Sequence, residues 1–76
     1  MKIEYYPDAD AIYIALKDQC ESVNSKEISE GIVLDFDKNG TLIGIDIHSQ
    51  ASQKVDVENI NFVTNHTTLD RDEEAA

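Results

Sequence analysis

Apolar and polar residues alternate through residues 31–48, and this alternation predicts an antiparallel β-hairpin. Its turn is assigned to Asn39-Gly40, because type I′ turns need positive φ at both central residues and this dipeptide supplies it. A turn of two or four residues keeps one face apolar, whereas a three-residue turn would interrupt that face. The cross-strand pairs predicted for the two-residue turn are Phe36 with Ile43, Leu34 with Ile45, and Ile32 with Ile47. The acids on the opposite face are Asp35, Asp37 and Asp46.

Three more strands are predicted before this hairpin. Residues 2–6 and 11–17 have strand composition and flank a turn at residues 7–10, where proline fixes φ. Alanine and leucine also permit a helix over residues 9–17, but isoleucines with period 2 favour a strand. The predicted pairs are Tyr5 with Ile12 and Ile3 with Ile14. Residues 22–29 are polar and are predicted to form an edge strand.

The C-terminal part is less regular. Residues 49–54 are expected to form a polar loop. Residues 55–63 favour a short helical turn with Asp56 as N-cap. A last strand with Val55, Val57 and Phe62 facing inward stays open as an alternative. Residues 65–76 are expected to be a disordered acidic tail.

These elements predict one small domain over residues 1–64. The predicted fold is mainly β, with α+β as the alternative. It is an antiparallel β-meander of about five strands with a short C-terminal helix or helical turn.

The composition indicates an acidic protein. The 76 residues carry a net charge of −10, and residues 1–69 alone hold 12 acids against 5 lysines, a net of −7. Such a field repels nucleic acid and anionic membranes and attracts a basic protein. The single cysteine, Cys20, excludes an internal disulfide and favours a cytoplasmic location. No apolar run at the N-terminus reaches signal-peptide length.

One segment has the spacing of a calcium-binding loop. The residues in D-x-D-x-N-G-x5-acid positions are Asp35, Asp37, Asn39, Gly40 and Asp46. However, the flanks are β-branched and lack a helical apolar stripe. The flanks instead favour a simple β-turn at residues 37–40, with the acids on a solvated face of the sheet.

Other candidate residues lack a supporting motif. Asp8 and Asp10 form a second D-x-D pair, for which turn and capping duty is the commoner use. His48 has only Ser49 or Cys20 as a candidate nucleophile. We therefore predict that the protein is not an enzyme and has no catalytic, cofactor-binding or metal-binding residues.

The sheet face opposite the isoleucines is partly apolar too. The residues concerned are Tyr6, Tyr13, Val33 and Leu42. A small antiparallel sheet usually leaves one face wet. We therefore expect the C-terminal segment to cover one face, and a second subunit, in a homodimer, or another partner to cover part of the other.

Two segments carry a resemblance to a known family. YYPDADAIYIAL and EISEGIVLDFDKNGTLIGIDI, with the following SQAS, resemble the small bacterial domain-of-unknown-function family 2283 over residues 3–52. The resemblance implies no activity and no catalytic residue. It implies that some members of the family bind small toxin-like proteins. The first hypothesis is therefore an antitoxin-like binder of a basic partner, and the alternative is a metal- or ligand-binding module using Asp35, Asp37 and Asp46.

Overall fold

The computed structural model describes residues 1–66, so the predicted tail over residues 65–76 lies outside the described residues except for its first two positions. Five antiparallel strands form one sheet, followed by one short helix, as predicted. The elements are β1 (Lys2–Tyr6), β2 (Ala11–Ala15), β3 (Asn24–Ser29), β4 (Ile32–Phe36), β5 (Leu42–Ile47) and α1 (Ala51–Lys54).

The strand order is β1-β2-β5-β4-β3. It differs from a simple meander in one connection, because the chain runs from the end of β2 to the far edge of the sheet before β3 begins. β5 therefore pairs with both β2 and β4 at the centre of the sheet. The predicted pairs in the first hairpin, Tyr5 with Ile12 and Ile3 with Ile14, are confirmed.

The central hairpin has the predicted register away from its turn but not at the turn. Leu34 lies opposite Ile45 and Ile32 opposite Ile47, as predicted, whereas Phe36 lies opposite Leu42 instead of Ile43. The Asp37 N–H donates to the Thr41 carbonyl, so three residues form the turn, and an irregularity between Asp35 and Phe36 restores the register.

The predicted type I′ turn is wrong for a local reason. Among the two central residues assigned to it, only Gly40 has positive φ, at 82°. The Asp37 carboxylate accepts hydrogen bonds from the Asn39 and Thr41 N–H groups at 2.8 and 2.9 Å. This side chain favours a type I turn followed by a glycine in the left-handed region.

The helix lies earlier in the chain than predicted. α1 falls within the predicted polar loop, and residues 55–63 form neither helix nor strand. Val55 is extended, with φ −136° and ψ 155°, which ends the helix. The Asp56 carboxylate accepts from the Glu58 N–H at 3.3 Å, so the predicted N-cap organises an isolated turn, and residues 57–66 contain no helix.

The core lies on one face of the sheet. Ile12, Ile47 and Ala51 are buried together, and the apolar residues packed against them are Ile32, Ile45, Val55 and Val57. The segment after β5 therefore covers this face, which we call the covered face. Within residues 1–66 no helix is long and apolar enough to cross a membrane.

Candidate interaction surface

The opposite face of the sheet, here called the open face, carries a row of acids that crosses all five strands. The cross-strand neighbours in this row are Glu4, Tyr13, Asp46, Val33 and Glu27, in that order. Acidic and uncharged residues therefore alternate from one edge to the other. Neighbouring strands lie about 4.8 Å apart, so successive acids in the row are separated by roughly 10 Å.

A second row lies beside the first. Its members are Lys2, Ala15, Gly44, Asp35 and Ser25. The two rows together hold four acids and one lysine, and the Lys2 Nζ lies 3.6 Å from the Glu4 Oε2 in an exposed ion pair. Exposed pairs of this kind add little stability, so the field of the open face stays negative.

Tyr13 organises the centre of the open face. Its hydroxyl donates to the Asp35 Oδ2 at 3.0 Å, and the Ser25 hydroxyl donates to the Asp35 Oδ1 at 2.7 Å. The tyrosine ring reaches Asp35 by lying over Gly44, where any Cβ would collide with the Tyr13 hydroxyl oxygen. Burial, the hydrogen bond to Asp35 and the charges of Asp35 and Asp46 all raise the pKa of Tyr13.

The structure separates the residues of the calcium-loop pattern. Both Asp35 oxygens accept hydrogen bonds from side chains on the open face, whereas the Asp37 Oδ1 accepts two backbone N–H groups in the turn. Asp46 lies between Tyr13 and Val33 in the acidic row. Within residues 1–66 no group of three His, Cys, Asp or Glu side chains is placed to hold a metal ion.

The remaining candidates also lie apart. Cys20 is exposed in the connection between β2 and β3, and His48 is exposed at the end of β5. Asp10, for which the sequence favours turn and capping duty, ends the first turn and also binds the start of α1. Its Oδ1 and Oδ2 accept from the Ser52 N–H and hydroxyl at 2.9 and 2.8 Å, and these bonds lower the pKa of Asp10.

An apolar groove lies on the covered face beside β1. Its lining is Met1, Ile3, Ile60, Asn61 and Phe62, around a volume of about 550 Å³. Phe62 is 85% exposed, which contradicts the alternative of a last strand with Phe62 facing inward. Residues 55–66 form no strand beside β1, and the side chains of Ile60, Phe62 and Val63 are exposed to solvent.

Comparison with known proteins decides the family. A model of a protein family of unknown function, DUF2283, matches residues 2–49. The chain belongs to the DUF2283 family. No curated protein and no solved structure gives a significant match.

The DUF2283 match covers all five strands and ends before α1. It confirms the resemblance found in the sequence. The whole open face lies within the matched region, whereas Ser52 and the groove residues Ile60 and Phe62 lie outside it. The open face is therefore built entirely by residues of the DUF2283 region.

Proposed function

We propose that this DUF2283 protein is a non-catalytic interaction protein that binds a basic partner protein through its open face, as an antitoxin binds a small toxin. The observation that supports the proposal most directly is the acidic row, which alternates acids with Tyr13 and Val33 across the sheet. The family resemblance and the single cysteine favour the bacterial cytoplasm as the place of this interaction.

The geometry of the row suggests the form of the partner. Its acids lie roughly 10 Å apart, and seven residues of an α-helix rise about 10.5 Å. A helix lying across the strands would therefore present an arginine or lysine to each acid when these residues recur every seven positions. The half-buried Tyr13 and Val33 between the acids offer apolar contacts to the same helix.

Cation binding has less support than protein binding. The Asp35 oxygens already accept hydrogen bonds from Tyr13 and Ser25, and Asp37 lies in the turn rather than on the open face. A divalent cation prefers several free oxygens converging on one point.

The direct test uses a synthetic helical peptide with arginine at every seventh position. Binding to the wild-type protein is compared with binding to Glu27→Gln/Asp46→Asn, which removes two acids of the row. The matched control is Glu21→Gln/Glu58→Gln, which removes the same charge at exposed positions outside the row. We expect the Kd to rise about tenfold for the first variant and less than about twofold for the control.

Two further measurements vary the salt concentration and the spacing of the arginines in the peptide. Affinity should fall as salt rises, because the encounter is driven by charge. A peptide of the same composition with its arginines adjacent should bind more weakly. Equal loss of affinity in both protein variants would show attraction to net charge alone and would contradict a site on the open face.

The same two variants serve as baits for a natural partner in cell extract at low salt. A basic protein retained by the wild type and the control, but released by Glu27→Gln/Asp46→Asn, would support the proposal. A partner retained equally by all three baits would place the binding site elsewhere.

A further inference from the structure

The two edges of the sheet differ in their protection against pairing with another strand. β3 is polar, and its register shifts between Glu27 and Ser29, an irregularity that disturbs an edge. β1 instead pairs with β2 in five consecutive positions without any shift. Within residues 1–66 no other strand pairs with β1, so a regular edge is left open.

The side chains at the β1 edge are also suited to an interface. Ile3 and Tyr5 lie on the covered face and are 40% and 38% exposed. The apolar groove continues from Ile3 to Ile60 and Phe62. A contiguous apolar surface beside an open strand edge is the usual mark of a protein interface.

We propose that β1 pairs antiparallel with β1 of a second copy of this chain, about a two-fold axis at Ile3. This register sets Lys2 of each copy opposite Glu4 of the other, so that both cross-strand pairs join opposite charges. Ile3 meets its own counterpart at the axis, and Met1 lies opposite Tyr5. The two sheets become one sheet of ten strands.

The charges of Lys2 and Glu4 favour this register over the one whose two-fold axis lies at Glu4. An axis at Glu4 would place the two Glu4 carboxylates directly opposite each other, and like charges in that position destabilise a strand pair. The axis at Ile3 also brings the two apolar grooves side by side, because Ile3 lines the groove of each copy. The interface is isologous, as closed dimers require.

Mass in solution tests the dimer. Size-exclusion chromatography with light scattering on the full chain should give twice the chain mass of 8.5 kDa at tens of micromolar. Ile3→Lys places two ammonium groups at the axis and should give the monomer mass. The control Ile28→Lys adds the same charge to β3 at a residue that is 55% exposed, and it should stay dimeric.

A charge exchange tests the register. Lys2→Glu or Glu4→Lys alone creates two like-charge pairs across the axis and should raise the dimer Kd about tenfold or more. The double variant K2E/E4K restores opposite charges and should return the Kd to within about threefold of the wild type. Far-UV circular dichroism establishes that each variant is folded.

Three outcomes would overturn the inference. They are a monomeric wild type up to millimolar concentration, a dimer broken by Ile28→Lys but not by Ile3→Lys, and a dimer strengthened by Glu4→Lys alone. Glu4 belongs both to the acidic row and to the β1 edge, so the two tests are separated by what they measure. The mass of the protein alone reports the dimer, whereas the peptide affinity of variants at Glu27 and Asp46, which leave β1 intact, reports partner binding.

Discussion

Tyr13 contacts three strands on the open face of the sheet. It starts on β2, lies over Gly44 on β5 and donates to Asp35 on β4, which also accepts from Ser25 on β3. A glycine in a strand usually weakens it, but here the missing side chain is the space that the tyrosine ring fills. The Tyr13 and Ser25 hydroxyls, which both donate to Asp35, therefore tie the centre of the sheet to its β3 edge.

This arrangement predicts that Gly44→Ala destabilises the protein more than Tyr13→Phe does. A Cβ at residue 44 displaces the Tyr13 ring and breaks the bond to Asp35, whereas Tyr13→Phe loses only the hydroxyl. We expect losses of about 2 and about 1 kcal/mol in the free energy of unfolding. Urea denaturation followed by circular dichroism measures both.

The double variant provides the control for this prediction. Gly44→Ala should cost less in the Tyr13→Phe background, because the atom that meets the new Cβ most closely is then absent. Strict additivity of the two losses would contradict the proposed contact.

At the scale of elements, α1 depends on two distant turns. Four residues are too few for a helix to be stable alone, and the Gln50 side chain makes no capping hydrogen bond. Instead the Asp10 carbonyl accepts from the Ala51 N–H at 2.9 Å, while Lys54 Nζ donates to the carbonyls of Glu30 and Ser49 at 3.1 and 2.7 Å. The helix is thereby held between the β1–β2 and β3–β4 turns.

Asp10 should make stability depend on acid pH. Its hydrogen bonds to Ser52 keep the folded-state pKa below its ordinary value, so the ionised form stabilises the native state. That contribution is complete above the unfolded-state pKa of about 4 and is lost as the pH falls through the folded-state pKa. Asp10→Asn tolerates the φ of 50° and keeps one acceptor oxygen but has no charge to lose.

The measurement is the free energy of unfolding of both proteins between pH 7 and pH 2.5. The advantage of the wild type over Asp10→Asn should be constant above about pH 5 and shrink below about pH 4. Asp10→Ala, which loses every side-chain acceptor and strains the backbone, should be less stable than Asp10→Asn at neutral pH. A constant difference between wild type and Asp10→Asn at all pH values would contradict the assignment.

The elements differ in how far the sequence determines them. Period-2 alternation was enough for β2, β4 and β5 and for pairs such as Ile32 with Ile47, because one face of each of these strands packs on the core. β1 was predicted from its composition, and β3, which is exposed along its whole length, from its polarity as an edge strand. The turn was missed because the Asp37 side chain, not the Asn39-Gly40 dipeptide, sets its geometry. α1 was missed because its N-terminus is bound by Asp10, a residue 42 positions away from Ser52.

The candidate interaction surface was likewise predicted only in part. The acids on the open face, Asp35 and Asp46, were predicted from alternation within one hairpin. The complete row was not, because it also needs Glu4 and Glu27 from strands whose order in the sheet is set by long-range pairing. No local pattern contains that order.

At the scale of the whole molecule, a small core supports a large negative charge. Within residues 1–66 the buried apolar residues are Ile12, Ile43, Ile47 and Ala51, so the core is small. Adjacent acids of the row, roughly 10 Å apart, repel by about 0.4 kcal/mol in water at low salt. The two adjacent repulsions of the row together oppose folding by about 0.8 kcal/mol, against a free energy of unfolding of about 5–15 kcal/mol for a typical domain.

This balance predicts that added salt stabilises the fold. Raising NaCl from about 20 mM to about 500 mM shortens the Debye length from roughly 20 Å to about 4 Å, well below the spacing of the acids in the row. We expect the free energy of unfolding to rise by about 0.5 kcal/mol, measured in urea because guanidinium is itself a salt. Glu27→Gln/Asp46→Asn removes both adjacent repulsions of the row and should lose most of this increase, while Glu21→Gln/Glu58→Gln should respond like the wild type. Equal responses of the two variants would mean that the repulsion is spread over the whole surface, and the acidic row would then have no special part in it.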